Sequence, residues 1–154
     1  MKKKIPETVL AYIQKDNCFL MLYRNKKKVD INKGKWLGVG GHLEKGETKD
    51  DALRREVKEE TGFLVHRYEY KGKIYFNYDG YSEIMHLYLI TEVEGEMTEC
   101  NEGELHYIPI ERLNELDMWE GDKIFIPYLL EDKPYFELEL NYQGNDLVSY
   151  RFIK

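Results

Sequence analysis

Three glutamates, Glu56, Glu59 and Glu60, crowd one short stretch of the chain. On a helix, residues three and four positions apart lie on the same face, so these carboxylates would be neighbours. Like charges at this spacing repel one another, and a positive charge has to offset the repulsion. A cluster of hard oxygen ligands suits Mg²⁺, with Mn²⁺ as an alternative, and such ions also bind substrate phosphates. The glutamates therefore predict a divalent-metal site for phosphate chemistry.

The flanking residues distinguish this stretch from an ordinary solvated acidic helix, which is the alternative interpretation. Gly40 and Gly41 precede it, and bare backbone can approach a metal or a phosphate closely. Glu47 and Arg55 form an opposite-charge pair that is able to hold the preceding loop against the helix. Gly62 provides a natural helix stop. The flanking residues therefore favour a metal site over a solvated acidic helix.

One helix is predicted to carry the glutamates. Thr48 is a suitable N-cap, and Asp50 and Asp51 place negative charge in the first turn, where the helix dipole favours it. Helices are also predicted at 110–116 and 122–130, although Pro127 is expected to end or bend the second of these. The polar segment 24–35 is predicted to be a loop.

Strands are predicted on both sides of the glutamate helix. Turn residues suggest hairpins at 14–17, at Asp79-Gly80 and at 143–146. No linker or repeat divides the chain, so we expect one α/β or α+β domain over residues 1–154. The predicted strands are 8–13, 19–23, a short one at 36–41 that runs into the glycine turn, 63–70, 73–78, 83–90, 105–109, 135–140 and 147–152.

Composition limits the possible functions. The chain has 154 residues, a net charge of -6 and 42% hydrophobic residues, which suits a globular protein and disfavours binding of long nucleic acid. No apolar run is long enough for a membrane helix, and the start lacks the apolar stretch of a signal peptide. Cys18 and Cys100 lack CxxC spacing and are expected to be free thiols in a reducing cytoplasm.

The segment from Gly41 to Phe63 resembles the Nudix box, G-x5-E-x7-R-E-U-x-E-E-x-G-U, in which U is a bulky apolar residue. Every fixed position matches, with Val57 and Phe63 at the U positions. The resemblance implies the Nudix fold, an α/β (α+β) arrangement with a mixed central β-sheet sandwiched between helices. It also implies a Mg²⁺-dependent pyrophosphohydrolase that cleaves a diphosphate linkage by water attack.

The same resemblance assigns roles to individual residues. A carboxylate would take the proton of the attacking water, and Glu59 and Glu102 are the two candidates. The alternative for Glu102 is an acidic surface loop. By resemblance, the metal ligands are Glu56, Glu59, Glu60 and the carbonyl of Gly40, Arg55 orients the carboxylates, and Glu47, Gly41 and Gly62 are structural.

Outside the box, the chain resembles the branch that hydrolyses oxidised purine nucleoside triphosphates such as 8-oxo-dGTP, a nucleotide-pool sanitation that protects DNA. The similar segments are Gly34-Lys35-Trp36, Asp117-Met118-Trp119 and Tyr142-Gln143-Gly144-Asn145-Asp146. By resemblance, Trp119 stacks on the base and Asp122 hydrogen-bonds the purine edge.

Phe76, Tyr78 and Met85 are predicted to line the same base pocket, with core packing as the alternative for Phe76, Met85 and Trp119. The chain departs from the branch at two positions. Leu37 stands where the branch has a base-reading asparagine, and Gly121 stands where it has the first of two aspartates. A lost polar reader reduces selectivity about tenfold or more.

Two other functions are open at the level of sequence. A Nudix enzyme with this box could act on ADP-ribose, a dinucleoside polyphosphate or the 5′ end of RNA. A catalytically silent Nudix domain could sense a nucleotide, although such domains usually lose box carboxylates and this chain keeps them. The expected partner is a small nucleotide substrate, with no membrane and no long nucleic acid, for a monomer or homodimer.

Overall fold

Nine strands form one mixed sheet within residues 5–130 and 135–154, which are the residues that the computed structural model describes. The predicted domain over 1–154 also includes residues 1–4 and 131–134, which lie outside the described residues. The order along the sheet is β3-β2-β1-β6-β5-β8-β9, with β4 on β1 and β7 on β2. The strands are β1 Glu7–Lys15, β2 Cys18–Arg24, β3 Trp36–Leu37, β4 Val39–His42, β5 Leu64–Tyr78, β6 Tyr81–Glu94, β7 Gly103–Pro109, β8 Phe136–Gln143 and β9 Asp146–Phe152.

The sheet divides into two branches along one edge of strand β1. Along one edge β1 pairs in parallel with β6, and its other edge is divided between two antiparallel partners. Residues 8–11 of β1 pair with β4, whereas residues 13–15 pair with β2. Because β3 stays with β2 while β4 stays with β1, the chain crosses between the two branches at Gly38.

Helix α1, Lys49–Thr61, covers one face of the sheet and carries the three glutamates. Its ends match the prediction, because the Thr48 side chain accepts a hydrogen bond from the Asp51 N–H at 3.1 Å. Gly62 ends the helix with φ of 87° and donates its N–H to the Lys58 carbonyl at 2.9 Å. The buried apolar face of α1 packs on a core formed by β1, β2, β4 and β6 and consists of Ala52, Leu53 and Val57.

The opposite face of the sheet is covered by helix α2, Glu120–Leu130, and by a 3₁₀ helix, Ile110–Glu115. Phe125 and Leu129 of α2 are buried there against a second core. The predicted fold class, a mixed sheet between helices, is confirmed. The helix predicted at 122–130 is confirmed as α2, and Pro127 does not end it, because α2 continues to Leu130. A proline in the last turn removes a single backbone hydrogen bond, which the packed helix tolerates.

One boundary in the sheet was also predicted incorrectly. The two strands expected at 63–70 and 73–78 are a single long strand, β5. Its pairing with β6 shifts register between Tyr70 and Gly72, and an irregularity of this kind bends a strand without ending it. The hairpin predicted at 143–146 is present as the turn between β8 and β9.

Cys18 and Cys100 are both free, as expected, and Cys100 is buried. Within the described part of the chain, no helix has the length and apolar character needed to cross a membrane.

Candidate active site

An ion pair fixes the loop that leads into α1. The Arg55 guanidinium donates from Nε and Nη2 to the two carboxylate oxygens of Glu47, at 2.7 and 2.9 Å, and from Nη2 to the His42 carbonyl at 3.0 Å. Glu47 also accepts the Glu44 N–H at 2.8 Å. The hydrogen bonds from Arg55 lower the pKa of Glu47 to about 2. The structure therefore brings together the two residues expected to hold the loop.

The same guanidinium reaches the first glutamate of the cluster. Arg55 Nη1 donates to Glu56 at 2.8 Å, and a Cβ at Gly41 would lie 2.6 Å from the Glu56 carboxylate. Gly41 is therefore needed for Glu56 to lie against β4. Burial raises the pKa of Glu56, and the hydrogen bond from Arg55 opposes that rise.

Glu60 is the buried member of the cluster, with 5% of its surface exposed. It accepts the Gly40 N–H at 2.8 Å. Burial, and then the hydrogen bond and the charge of Glu102 beside it, raise the pKa of Glu60 to about 9. The loop before β7 thus delivers Glu102 to the last turn of α1, so Glu102 is not simply part of a surface loop.

Glu102 has cationic partners of its own. Its carboxylate lies 3.1 Å from Arg24 and 2.9 Å from Lys27. Burial opposes its ionisation, but the proton of Glu60 and the ammonium group of Lys27 hold the pKa of Glu102 below its usual value. The pKa of Glu60 is therefore raised, whereas that of its neighbour Glu102 is lowered.

Glu59 lies at the rim of the cluster. Its side chain is 58% exposed and is 3.3 Å from Arg55 Nη1. Within residues 5–130 and 135–154, no three His, Cys, Asp or Glu side chains converge closely enough to form a ready coordination shell. Arg55 is the cation that lies beside Glu56 and Glu59.

The donor set nevertheless fits a hard divalent cation. Glu56 and Glu60 are carboxylates with raised pKa values, which means that the local positive charge does not satisfy their negative charge. They flank a stretch of β4 backbone without side chains, at Gly40 and Gly41. Mg²⁺ and Mn²⁺ prefer oxygen ligands of this kind, namely carboxylates that nearby cations do not fully neutralise, together with a backbone carbonyl.

The predicted base-binding residues form an aromatic cluster on the other face of the sheet. Trp119 makes edge-to-face contacts with Phe76 and Tyr78, with ring centroids 5.5 and 5.8 Å away, and Tyr142 lies at 5.0 Å. Met85 is partly buried against the same core. The structure therefore brings these predicted pocket residues together.

Trp119 is covered by the loop between β2 and β3. The indole N–H donates to Asn32 at 2.7 Å, and Lys35 Nζ lies 5.0 Å from the centroid of the indole ring. Only 4% of Trp119 is exposed. A base that stacks on this face would displace the Lys35 ammonium group, which also lies 3.7 Å from Asp117.

Asp122 is buried beneath this cover, on the first turn of α2. Burial raises its pKa to about 7, and Lys35 is the cation that opposes the rise. A carboxyl group with this pKa can either donate or accept a hydrogen bond near neutral pH.

Gly38 and Gly40 connect the two halves of the site. A Cβ at Gly38 would lie 3.2 Å from the Tyr12 ring on the base side, while Gly40 binds Glu60 on the acidic side. Two residues of extended chain span about 7 Å. The Tyr12 side of the aromatic core and the acidic cluster are therefore about two residues apart along this segment.

Sequence reasoning missed four residues of this site, namely Tyr12, Arg24, Asn32 and Lys35. Tyr12 had a signal, because it follows the alternation of β1 toward the core and carries a hydroxyl group there. Lys35 adjoins a segment similar to the purine branch. Arg24 and Asn32 had no signal, because polar residues at a strand end and in a loop find their partners only through tertiary contacts.

Comparison with known proteins identifies the family of the chain. The model of the NUDIX domain matches residues 4–129. An oxidized purine nucleoside triphosphate hydrolase from Danio rerio is 33% identical over 124 residues, which cover 79% of each chain. The mouse protein of the same name is 32% identical over 71% of each chain. The crystal structure of a MutT protein from Bacillus halodurans has a TM-score of 0.86 and 26% identity, and it covers 97% of this chain and 98% of that one.

The chain therefore belongs to the Nudix family, and the predicted class of enzyme, a Nudix hydrolase, is confirmed. Nudix hydrolases generally use divalent metal ions such as Mg²⁺. Strands β8 and β9 lie beyond the matched residues but belong to the same sheet.

Proposed function

We propose that this enzyme hydrolyses a nucleoside triphosphate to the monophosphate and pyrophosphate, with Mg²⁺ as cofactor and an oxidised purine nucleotide such as 8-oxo-dGTP as substrate. The observation that supports it most strongly is the adjacency of the two half-sites. The base would occupy the pocket at Trp119, and the phosphates would lie along Gly40 toward the glutamates. The names of the relatives from Danio rerio and mouse agree with this substrate class.

The acidic cluster would carry out the chemistry. Glu56, Glu60 and the Gly40 carbonyl would hold the metal, which when bound neutralises phosphate oxygens and acidifies water. Arg55 fixes Glu56 through one nitrogen and the preceding loop through the others. Its fork geometry allows both contacts at once.

We propose that one of two carboxylates, Glu59 or Glu102, accepts the proton of the attacking water. Glu59 is exposed at the rim, and Arg55 keeps it oriented toward the cluster. Glu102 is paired with Arg24 and Lys27, which favour its ionised form.

The aromatic cluster would provide the base specificity. Trp119 offers an aromatic face once Lys35 moves aside, and Asp122 offers a carboxyl group at the edge of the pocket. Such a pocket favours a flat base with polar edge groups. We propose that the enzyme acts in the cytoplasm, where nucleotides are synthesised and where free thiols persist.

A substrate panel at fixed Mg²⁺ tests the proposal. It compares kcat/KM for 8-oxo-dGTP, dGTP, other nucleoside triphosphates, ADP-ribose and a dinucleoside polyphosphate, and it measures pyrophosphate release. We expect 8-oxo-dGTP to exceed dGTP by at least about tenfold, which is roughly 1.4 kcal/mol of discrimination. A smaller preference overturns the oxidised-purine assignment, and higher activity on ADP-ribose overturns the triphosphate assignment.

A further inference from the structure

Two buried side-chain oxygens within the described residues lack a hydrogen-bond partner, and both belong to the base pocket. They are the Tyr12 hydroxyl and one carboxyl oxygen of Asp122. Tyr12 is 0% exposed and Asp122 is 4% exposed, so bulk water does not satisfy these atoms. Buried polar atoms in folded proteins are nearly always paired, and leaving one unpaired destabilises the fold. Both atoms therefore call for a ligand.

The two groups come from different elements of the fold. Tyr12 projects from β1 and Asp122 from the first turn of α2, and the charge of Asp122 contributes to a raised pKa of Tyr12. They are not hydrogen-bonded to each other. Neither oxygen therefore satisfies the other.

The side chain of Tyr12 packs among apolar residues. Leu37, at the end of β3, is apolar and packs against the same core. The Gly38 backbone faces the Tyr12 hydroxyl, and a Cβ at Gly38 would come within 3.2 Å of the Tyr12 ring. The glycine thus leaves room for the phenol to reach into the pocket.

We propose that Tyr12 is a specificity-determining residue whose hydroxyl group hydrogen-bonds the polar edge of a purine base, together with the carboxyl group of Asp122. The inference rests on the proposed function, since it assigns a reader to the same base pocket. A hydroxyl group donates to a purine carbonyl oxygen, and a carboxyl group pairs with the adjacent ring N–H. Trp119 and Phe76 supply the apolar walls.

The variant Tyr12→Phe removes only the hydroxyl oxygen. The matched control is Tyr88→Phe, since Tyr88 is equally buried but its hydroxyl donates to Asp50 at 2.7 Å on the α1 face. The measurements are Tm, kcat/KM for 8-oxo-dGTP, dGTP and dTTP, and the Kd of 8-oxo-dGMP by tryptophan fluorescence without metal.

We expect opposite results from the two variants. Tyr12→Phe should keep or raise Tm, because the hydroxyl has no partner in the free protein, yet it should lower kcat/KM for the purines about tenfold and leave dTTP unchanged. Tyr88→Phe should lower Tm and leave the purine-to-pyrimidine ratio unchanged.

A loss of Tm in Tyr12→Phe with unchanged selectivity would show that the hydroxyl is structural and would overturn the inference. If the wild-type enzyme hydrolyses no nucleoside triphosphate, the proposed function fails, and the Kd of 8-oxo-dGMP then decides the inference. A Kd about tenfold weaker in Tyr12→Phe supports it, whereas an unchanged Kd, or no binding to the wild type, overturns it.

Discussion

At the scale of single residues, the site contains two buried acids whose pKa values are raised for different reasons. Glu60 is buried beside another carboxylate, Glu102, so repulsion adds to the cost of burial. Asp122 is buried near Lys35, whose positive charge lowers its pKa, so burial alone accounts for the rise. The charge beside Glu60 is therefore negative, whereas the charge beside Asp122 is positive.

Neutral substitutions of Glu56 and Glu60 test the proposed metal site. Glu56→Gln and Glu60→Gln should each lower kcat more than ~100-fold, since each removes a proposed metal ligand while keeping the shape of the side chain. Circular dichroism and Tm should show an intact fold. The matched control is Glu44→Gln, which removes an exposed carboxylate 3.7 Å from Arg55 and should leave kcat within about twofold. Near-normal rates in either Gln variant at Glu56 or Glu60 would contradict the metal role.

The pH dependence of stability tests the raised pKa of Asp122. The pKa of Asp122 is about 7 in the folded protein and 3.8 in the reference state, so between these values the folded protein holds the extra proton. Stability should therefore fall as pH rises from about 4 to about 7, by up to ~1.4 kcal/mol per pH unit, and this contribution should level off above pH 7. Asp122→Asn should lack this component.

Urea unfolding of the metal-free protein from pH 4.5 to 7.5 measures the effect. The difference between the wild type and Asp122→Asn isolates Asp122 from other titrating groups. Asp117→Asn is the matched control, because Asp117 also lies near Lys35 but is 73% exposed. If the wild type and Asp122→Asn have the same pH profile, Asp122 is already ionised in the folded protein at pH 5, against our expectation.

At the scale of elements, the function depends on how closely α1 approaches β4. Gly41 allows that approach, since a Cβ there would lie 2.6 Å from the Glu56 carboxylate. The contact involves the end of a flexible side chain, so the carboxylate would move while the fold remained. Gly41→Ala should therefore raise the Mg²⁺ concentration for half-maximal rate more than ~10-fold.

Gly46 provides a control that separates the displacement of Glu56 from the general cost of replacing a glycine. Gly46 lies in the same loop region with φ of 80°, and a Cβ there would meet no atom within 4 Å. Gly46→Ala should cost ~1 kcal/mol of stability, because of its positive φ, without changing the Mg²⁺ requirement. An unchanged Mg²⁺ requirement in Gly41→Ala would show that Glu56 does not need its present position.

Local chemistry explains which elements the sequence predicted well. The ends of α1 follow from a side-chain cap at Thr48 and a positive φ at Gly62, and both signals are contained within a few residues. The continuity of β5 and the survival of α2 past Pro127 depend on pairing and packing with distant strands, which no local pattern records. The cover on Trp119 depends on Asn32, a loop residue 87 positions away, for the same reason.

At the scale of the whole molecule, the two halves of the site lie on opposite sides of a sheet that opens at Gly38. The α1 core supports the acidic half, and the α2 core supports the aromatic half. Arg24 connects them, since its guanidinium contacts Glu102 at 3.1 Å and Asp30 of the loop that covers Trp119 at 2.9 Å. The fold thus places Arg24 between the acidic half and the aromatic half.

We expect the metal to stabilise the whole fold, because it would offset the repulsion between Glu60 and the neighbouring Glu102. A ligand that binds the folded state alone stabilises it by mass action, by about 2.7 kcal/mol at 100 times Kd. We therefore expect Tm to rise with Mg²⁺ concentration and to return to its starting value with EDTA. Glu56→Gln should show little of this rise, whereas Glu44→Gln should behave as the wild type does. A rise in Tm of equal size in Glu56→Gln would mean that Mg²⁺ binds elsewhere, and the carboxylate cluster would lose its assigned role.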